Sequence, residues 1–271
     1  TLTDLTFTQN EAGEIGGAAQ LSRCDSTLAG WSVSENQSGF GGGLAVERGT
    51  VDIAESTFTL NSASRTGGAL YGSFWSGSVL DVVLEFNGAT RNGGAIALES
   101  STLDISASLF DGNSATLAGG GLYADDSTIT LADSDFFTNE AATTGGGMQL
   151  EASTATLTGL DVYANTAQDY AGLAVTDASG MVAIANSTIR ENVAQSNGGG
   201  MGQQNSNSTL TDCIFSGNVA SNGHSGGLAV HAGSTTLQDV GFESNVADKR
   251  AGGIYHDDAA TIGATSCDFT G

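Results

Sequence analysis

An asparagine with an apolar residue three places before it returns at nearly constant intervals, and that interval limits what the chain can fold into. The pairs are Phe7/Asn10, Val33/Asn36, Phe58/Asn61, Leu84/Asn87, Phe110/Asn113, Phe136/Asn139, Val162/Asn165, Ile189/Asn192, Phe215/Asn218 and Phe242/Asn245, in steps of 25 to 27 residues. A glycine followed by an apolar residue keeps pace at Gly17, Gly43, Gly68, Gly94, Gly121, Gly147, Gly172, Gly200, Gly227 and Gly253, with a second glycine before it everywhere except at Ala171. A period of this size is the mark of a stacked repeat, in which no single unit buries its own apolar face.

Between the markers the apolar residues alternate with polar ones, as in Thr128-Ile-Thr-Leu-Ala-Asp133 and Thr102-Leu-Asp-Ile-Ser106. That is strand periodicity, and helical spacing appears nowhere. The Leu-x-x-Leu-x-Leu frame of a leucine-rich repeat is missing as well. The sequence therefore predicts an all-β fold, a right-handed single-stranded parallel β-helix of about ten coils with ~26 residues each. Residues 1–271 are expected to form one such domain, a segment of a longer chain, because neither end carries a polar cap.

In this fold equivalent residues stack into files at ~4.8 Å per coil. Phe58, Phe110 and Phe136 are expected in one inward column. The asparagine marks a corner where it adopts a left-handed backbone and bonds to the amide in the next coil. The paired glycines belong where the chain bends or a side chain would collide with a neighbouring coil. Six places before each asparagine stand Asp4, Gly30, Glu55, Asp81, Ala107, Asp133, Gly159, Asn186, Asp212, Asp239 and, before the position expected at 272, Ser266, which reads as another bend.

Composition narrows function more than fold. Seven basic residues against 30 acidic ones give a formal net charge of −23, which argues against nucleic acid as a partner and against anionic membrane surfaces. No apolar run reaches the ~18 residues of a membrane-crossing helix, so this segment is not expected to insert into a membrane. Cys213 and Cys267 share a register two coils apart, roughly 9.6 Å by strand spacing, too far for a disulfide.

The motifs Gly93-Gly94-Ala95-Ile96, Gly67-Gly68-Ala69-Leu70 and Gly16-Gly17-Ala18 alternate with Phe58-Thr-Leu-Asn61, Phe110-Asp-Gly-Asn113 and Phe242-Glu-Ser-Asn245. They resemble the Gly-Gly-Ala-Ile and Phe-x-x-Asn repeats of the chlamydial polymorphic outer-membrane proteins, and the resemblance runs along essentially the whole chain. It implies a β-helical passenger at an extracellular or outer cell surface that serves in adhesion. Several coils depart from the pattern with Gly-Gly-Leu or Gly-Gly-Met, and the C-terminal barrel of that family is not in this sequence.

Candidate sites follow from register. Glu99, Asp125 and Glu151 occupy one position in three successive coils, an oxygen-rich file able to take Ca²⁺ or, alternatively, a solvated corner. No other cofactor is indicated. Phe74 and Trp75, in the irregular stretch Tyr71-Gly-Ser-Phe-Trp-Ser-Gly77, are candidate partner anchors or a local plug, whereas Trp31 falls on the inward face. Arg65 and Arg91 share a register and would grip an acidic sugar if the chain were a polysaccharide lyase or hydrolase, a reading that lacks a flanking carboxylate pair. His231 and His256 are near by register without a third ligand, and an outward threonine row is broken at Asp52, Asp104, Ala183 and Gly263. The expected function is a non-enzymatic module for adhesion to a host or neighbour cell-surface protein or glycan. The rivals are a carbohydrate-active enzyme and a fibre subunit that associates end to end.

Overall fold

The computed structural model describes residues 1–257 and 259–271, and these form strands, turns and bends with no helix among them. All strand pairings are parallel and link each coil to the next, so the chain is a parallel β-solenoid of three ladders of 17, 11 and 9 strands. One coil shows the plan: Leu122–Asp125 and Thr128–Ala132 lie in the widest ladder, Asp135–Phe137 in the second and Glu140–Ala141 in the narrowest.

The core is the file of apolar residues that the repeat announced. Phe58 pairs with Leu84, Leu84 with Phe110, Phe110 with Phe136 and Phe136 with Val162, all buried. The Phe110 and Phe136 rings stack at 4.2 Å between centroids. Burying each such side chain stabilises the fold by roughly 1.5–3 kcal/mol, and only the neighbouring coils supply the cover.

Three corners of each coil share one device. A residue in the left-handed region takes the outward place, and the residue after it turns its side chain into the interior. At the bend six places before each asparagine every residue has φ between 46° and 67°. The inward residue there is often serine: Ser134 Oγ accepts from the Ser108 backbone N–H at 3.1 Å, and Ser108 Oγ donates to the Ser106 carbonyl at 2.8 Å. Ser127 does the same at the corner after Asp125, accepting from the Ser101 N–H at 3.0 Å.

The asparagine corner corrects one expectation. The left-handed residue is the one before the asparagine, as at Leu60, Phe86, Thr138 and Ala164 with φ of 57°, 54°, 50° and 55°, while none of the corner asparagines has positive φ. The reason is the asparagine's inward task. Asn139 Oδ1 accepts both the Asn113 backbone N–H at 3.1 Å and its amide N–H at 3.0 Å. The second amide proton of Asn139 goes to the Phe110 carbonyl of the preceding coil at 2.9 Å. Phe-x-x-Asn is therefore one hydrogen-bonded unit between coils as well as a packing motif.

At the fourth bend the glycine file is Gly68, Gly94 and Gly120, since a Cβ on Gly68 would lie 2.1 Å from the Gly94 carbonyl oxygen and one on Gly94 2.1 Å from that of Gly120. Gly43 and Gly121 align instead with Ala69 and Ala95, which shifts part of the sequence register by one residue.

Candidate functional site

The first corner stacks Arg23, Arg48 and Phe74 in successive coils, because Ser22 and Ser73 both pair with Glu47 just before it. Phe74 has φ of 51° and takes the outward place with 54% of its surface exposed. The Arg48 guanidinium sits 4.8 Å from its ring centroid, a cation–π contact at an exposed site. Trp75 takes the inward place and is 1% exposed, which corrects its reading as half of an exposed aromatic pair. It stands where Ser101 stands one coil later, its N–H donating to Ser101 Oγ at 3.0 Å and its Nε1 to the Val51 carbonyl at 2.8 Å. Gly72 makes room for it: Val46 and Leu98 fill the same register in the adjacent coils, and a Cβ on Gly72 would lie 2.5 Å from the indole. Leu60 and Phe86, 54% and 56% exposed, hold the outward place of the asparagine corner in adjacent coils.

Beyond that corner the narrow ladder carries small side chains, and a groove of about 300 Å³ runs over Ser62, Ser64, Gly88, Thr90 and Ser114 with Ala63 and Ala89 as its floor. Arg65 and Arg91 follow directly on Ser64 and Thr90, and the Arg91 N–H donates to the Arg65 carbonyl at 2.8 Å, which confirms their shared register. The Arg65 guanidinium rests 5.1 Å from the Phe40 ring centroid. Among the described residues neither arginine has a carboxylate within salt-bridge distance; the ion pairs are Arg190 with Asp161 and Glu191, and His231 with Asp257.

Glu99, Asp125 and Glu151 are direct ladder neighbours. Two are already hydrogen-bonded, as the Tyr71 hydroxyl donates to Glu99 Oε2 at 2.9 Å and the Tyr123 hydroxyl to Glu151 Oε2 at 2.7 Å. Burial first, and then these carboxylates, push both phenols well above the ordinary tyrosine range. Asp125 is raised by desolvation and by its neighbours Glu151, Asp126 and Glu99. Among the described residues no group of three or more His, Cys, Asp or Glu converges on a point where it could hold a metal ion.

The histidines separate from one another. His256 pairs with Val230 and is exposed, so it does not face His231. His231 Nδ1 instead lies 3.0 Å from Asp257 Oδ2, and His224 stacks on Tyr255 at 4.7 Å. Burial, Arg250, Lys249 and His231 lower the His224 pKa. Trp31 is buried, and the broken threonine row lies in one register as expected. The three cysteines are free thiols, Cys213 buried and Cys24 and Cys267 partly so. One surface feature escaped the sequence reading: Phe137 and Tyr163 stack at 4.3 Å, and the Arg190 guanidinium caps Tyr163 at 4.0 Å while Asp161 grips it at 2.8 Å. The signal was present as Phe137, Tyr163 and Arg190, each two places before its asparagine.

Residues 55–73 and 107–125 match the Chlamydia polymorphic membrane protein (Chlamydia_PMP) repeat. Each matched stretch runs from an outward bend, through the Phe-x-x-Asn corner and the glycines, into the first strand of the widest ladder. It contains Phe58 and Asn61 in one case and Phe110 and Asn113 in the other, so what matches is the inter-coil hydrogen-bonding unit itself. No curated protein and no solved structure matches the chain.

Proposed function

We propose that this chain is a rigid, non-enzymatic binding module displayed at an extracellular or outer bacterial surface, where it adheres to a cell-surface protein or glycan. The observation that carries this reading is the division of labour at the corners. Inward residues are committed to the interior, while the left-handed outward places bear the large exposed side chains Leu60, Phe74 and Phe86 within successive coils. Exposed aromatic and arginine side chains on an immobile frame are the usual anchors of recognition, because little ordering entropy is lost when a partner docks. The match to a polymorphic membrane protein repeat supports the surface location. Saturable binding of the purified chain to cells, measured by flow cytometry, should fall at least tenfold in affinity for Phe74→Ala combined with Phe86→Ala. Undiminished binding by a folded double variant would refute the assignment of these corners.

A further inference from the structure

We propose that the groove bordered by Arg65 and Arg91 binds a segment of a linear anionic polysaccharide, an inference that rests on the binding-module reading and names the partner of one face. The chain is strongly acidic, with 30 carboxylates against seven bases, yet these two arginines hold the same place in adjacent coils and are not in ion pairs among the described residues. Like charges in neighbouring places of a ladder repel. In so acidic a molecule nearby carboxylates would readily relieve that repulsion, and the fold leaves it in place. The Arg65 head is held against Phe40, which limits its freedom before any ligand arrives.

The groove beside them fits a sugar better than a peptide. Its lining is the Gln37 amide, the hydroxyls of Ser62, Ser64, Thr90 and Ser114, and the small residues Ala63, Gly88 and Ala89, with no large apolar side chain among them. Such a surface hydrogen-bonds ring hydroxyls, and Phe86 on the bordering corner offers an exposed ring for stacking. The arginines recur at one strand spacing, ~4.8 Å along the axis, a rise comparable to one pyranose in an extended chain. Successive acidic groups of a polymer lying along the solenoid would each meet a guanidinium, whose planar fork suits both carboxylate and sulfate.

The same face supplies an internal control. Farther along, a second groove is lined by Glu140, Ala141, Ala142, Thr166 and Gln168, and the arginine register continues there as Thr143 and Asp169. That stretch has a similar groove with acidic residues, Glu140 and Asp169, instead of the arginines.

The test uses heparin as the sulfated probe, polygalacturonate as the carboxylated one and dextran as the neutral one, each against the whole chain by biolayer interferometry at about 0.15 M salt, where the Debye length is ~8 Å. Saturable binding to heparin, polygalacturonate or both, with none to dextran, is expected, and which probe binds tells sulfate from carboxylate recognition. Arg65→Gln with Arg91→Gln should weaken it at least tenfold, or ~1.4 kcal/mol, whereas Glu140→Gln should leave it unchanged. Arg65→Lys with Arg91→Lys should fall between, as charge survives and the fork is lost. Circular dichroism checks that each variant folds. Binding to neither charged probe, or equal binding by the folded double Gln variant, overturns the proposal. Cell binding that persists in that event leaves the module reading standing.

Discussion

Replacing Asn139 by alanine tests the hydrogen-bonded file in the interior. Asn139 is fully buried, and its Oδ1 is the acceptor for the Asn113 backbone N–H at 3.1 Å and for one Asn113 amide proton at 3.0 Å. Alanine removes that acceptor and leaves two donors orphaned where water does not reach. At ~1–3 kcal/mol for each unsatisfied buried group, the expected loss is about 2–6 kcal/mol. Asn10→Ala is the matched control, since Asn10 lies at the exposed start of the file, where its amide only donates, to Asn36 Oδ1 at 2.8 Å. Its loss should stay below about 1 kcal/mol. Urea unfolding followed by far-ultraviolet circular dichroism gives the comparison. Because long repeat arrays can lose all-or-none cooperativity, hydrogen exchange at the Asn113 amide supplies a local reading, and it should accelerate in Asn139→Ala alone. Equal destabilisation by the two substitutions, or an Asn139→Ala effect within about 0.5 kcal/mol of zero, would refute the account of the file as a satisfied buried network.

Other consequences are as direct. Trp75→Ala should cost about 3–5 kcal/mol by opening a cavity beside Gly72, while Trp75→Ser with Gly72→Leu, the pair found one coil later as Ser101 and Leu98, should recover most of it in thermal unfolding. Gly94→Ala drives a methyl group into the Gly120 carbonyl at 2.1 Å and should abolish soluble folded protein, whereas Gly88→Ala, with nothing nearer than Ser114 Oγ at 3.5 Å, should shift stability by less than about 0.5 kcal/mol in the same assay. His224 has a lowered pKa in the fold, so the unfolded chain binds its proton first; its contribution is full above the ordinary value near ~6.5 and is lost as pH falls below it. Substituting phenylalanine, the residue at the equivalent Phe40, should flatten that part of the stability profile. Asp125→Asn relieves repulsion from Glu99, Glu151 and Asp126 and should raise the melting temperature at pH 7, and millimolar Ca²⁺ should stabilise the native chain no more than Mg²⁺ does; a calcium-specific rise lost in Asp125→Asn would establish the carboxylate file as a ligand set.

The coil and its core were legible because Phe58, Phe110, Phe136 and the asparagines that follow them answer to a strict requirement, burial in the one case and mutual hydrogen bonding in the other. The outward corner places answer to none. Leu60, Phe86, Thr138 and Ala164 share one backbone conformation but no side-chain chemistry, since their N–H groups are held by the next coil and their side chains lie on the surface, where Thr138 Oγ1 donates to Asp111 Oδ1 at 2.7 Å. Composition therefore left no trace of them, and the left-handed turn was assigned to the conspicuous asparagine instead. Phe74 and Trp75 were misjudged as a pair for a related reason. Alternation of outward and inward places separates them, and the clue was Gly72, whose missing side chain is the space that the indole fills. The arginine register was visible in the sequence, but the absence of ion-pair partners was not, because it depends on where 30 carboxylates end up.

Every interior amide link in the asparagine file points the same way, each nitrogen donating toward the oxygen of the residue with the higher number, from Asn10 through Asn218. Backbone bonds between coils run in both senses and largely cancel, but these dipoles add. The solenoid thus has an electrical polarity along its length, with the side-chain oxygens toward the Asn10 face and the amide protons that link the file toward the Asn245 face, and each link polarises the next. A cut at one coil should accordingly be felt by its neighbours, so that two substitutions in adjacent asparagines cost less together than the sum of each alone.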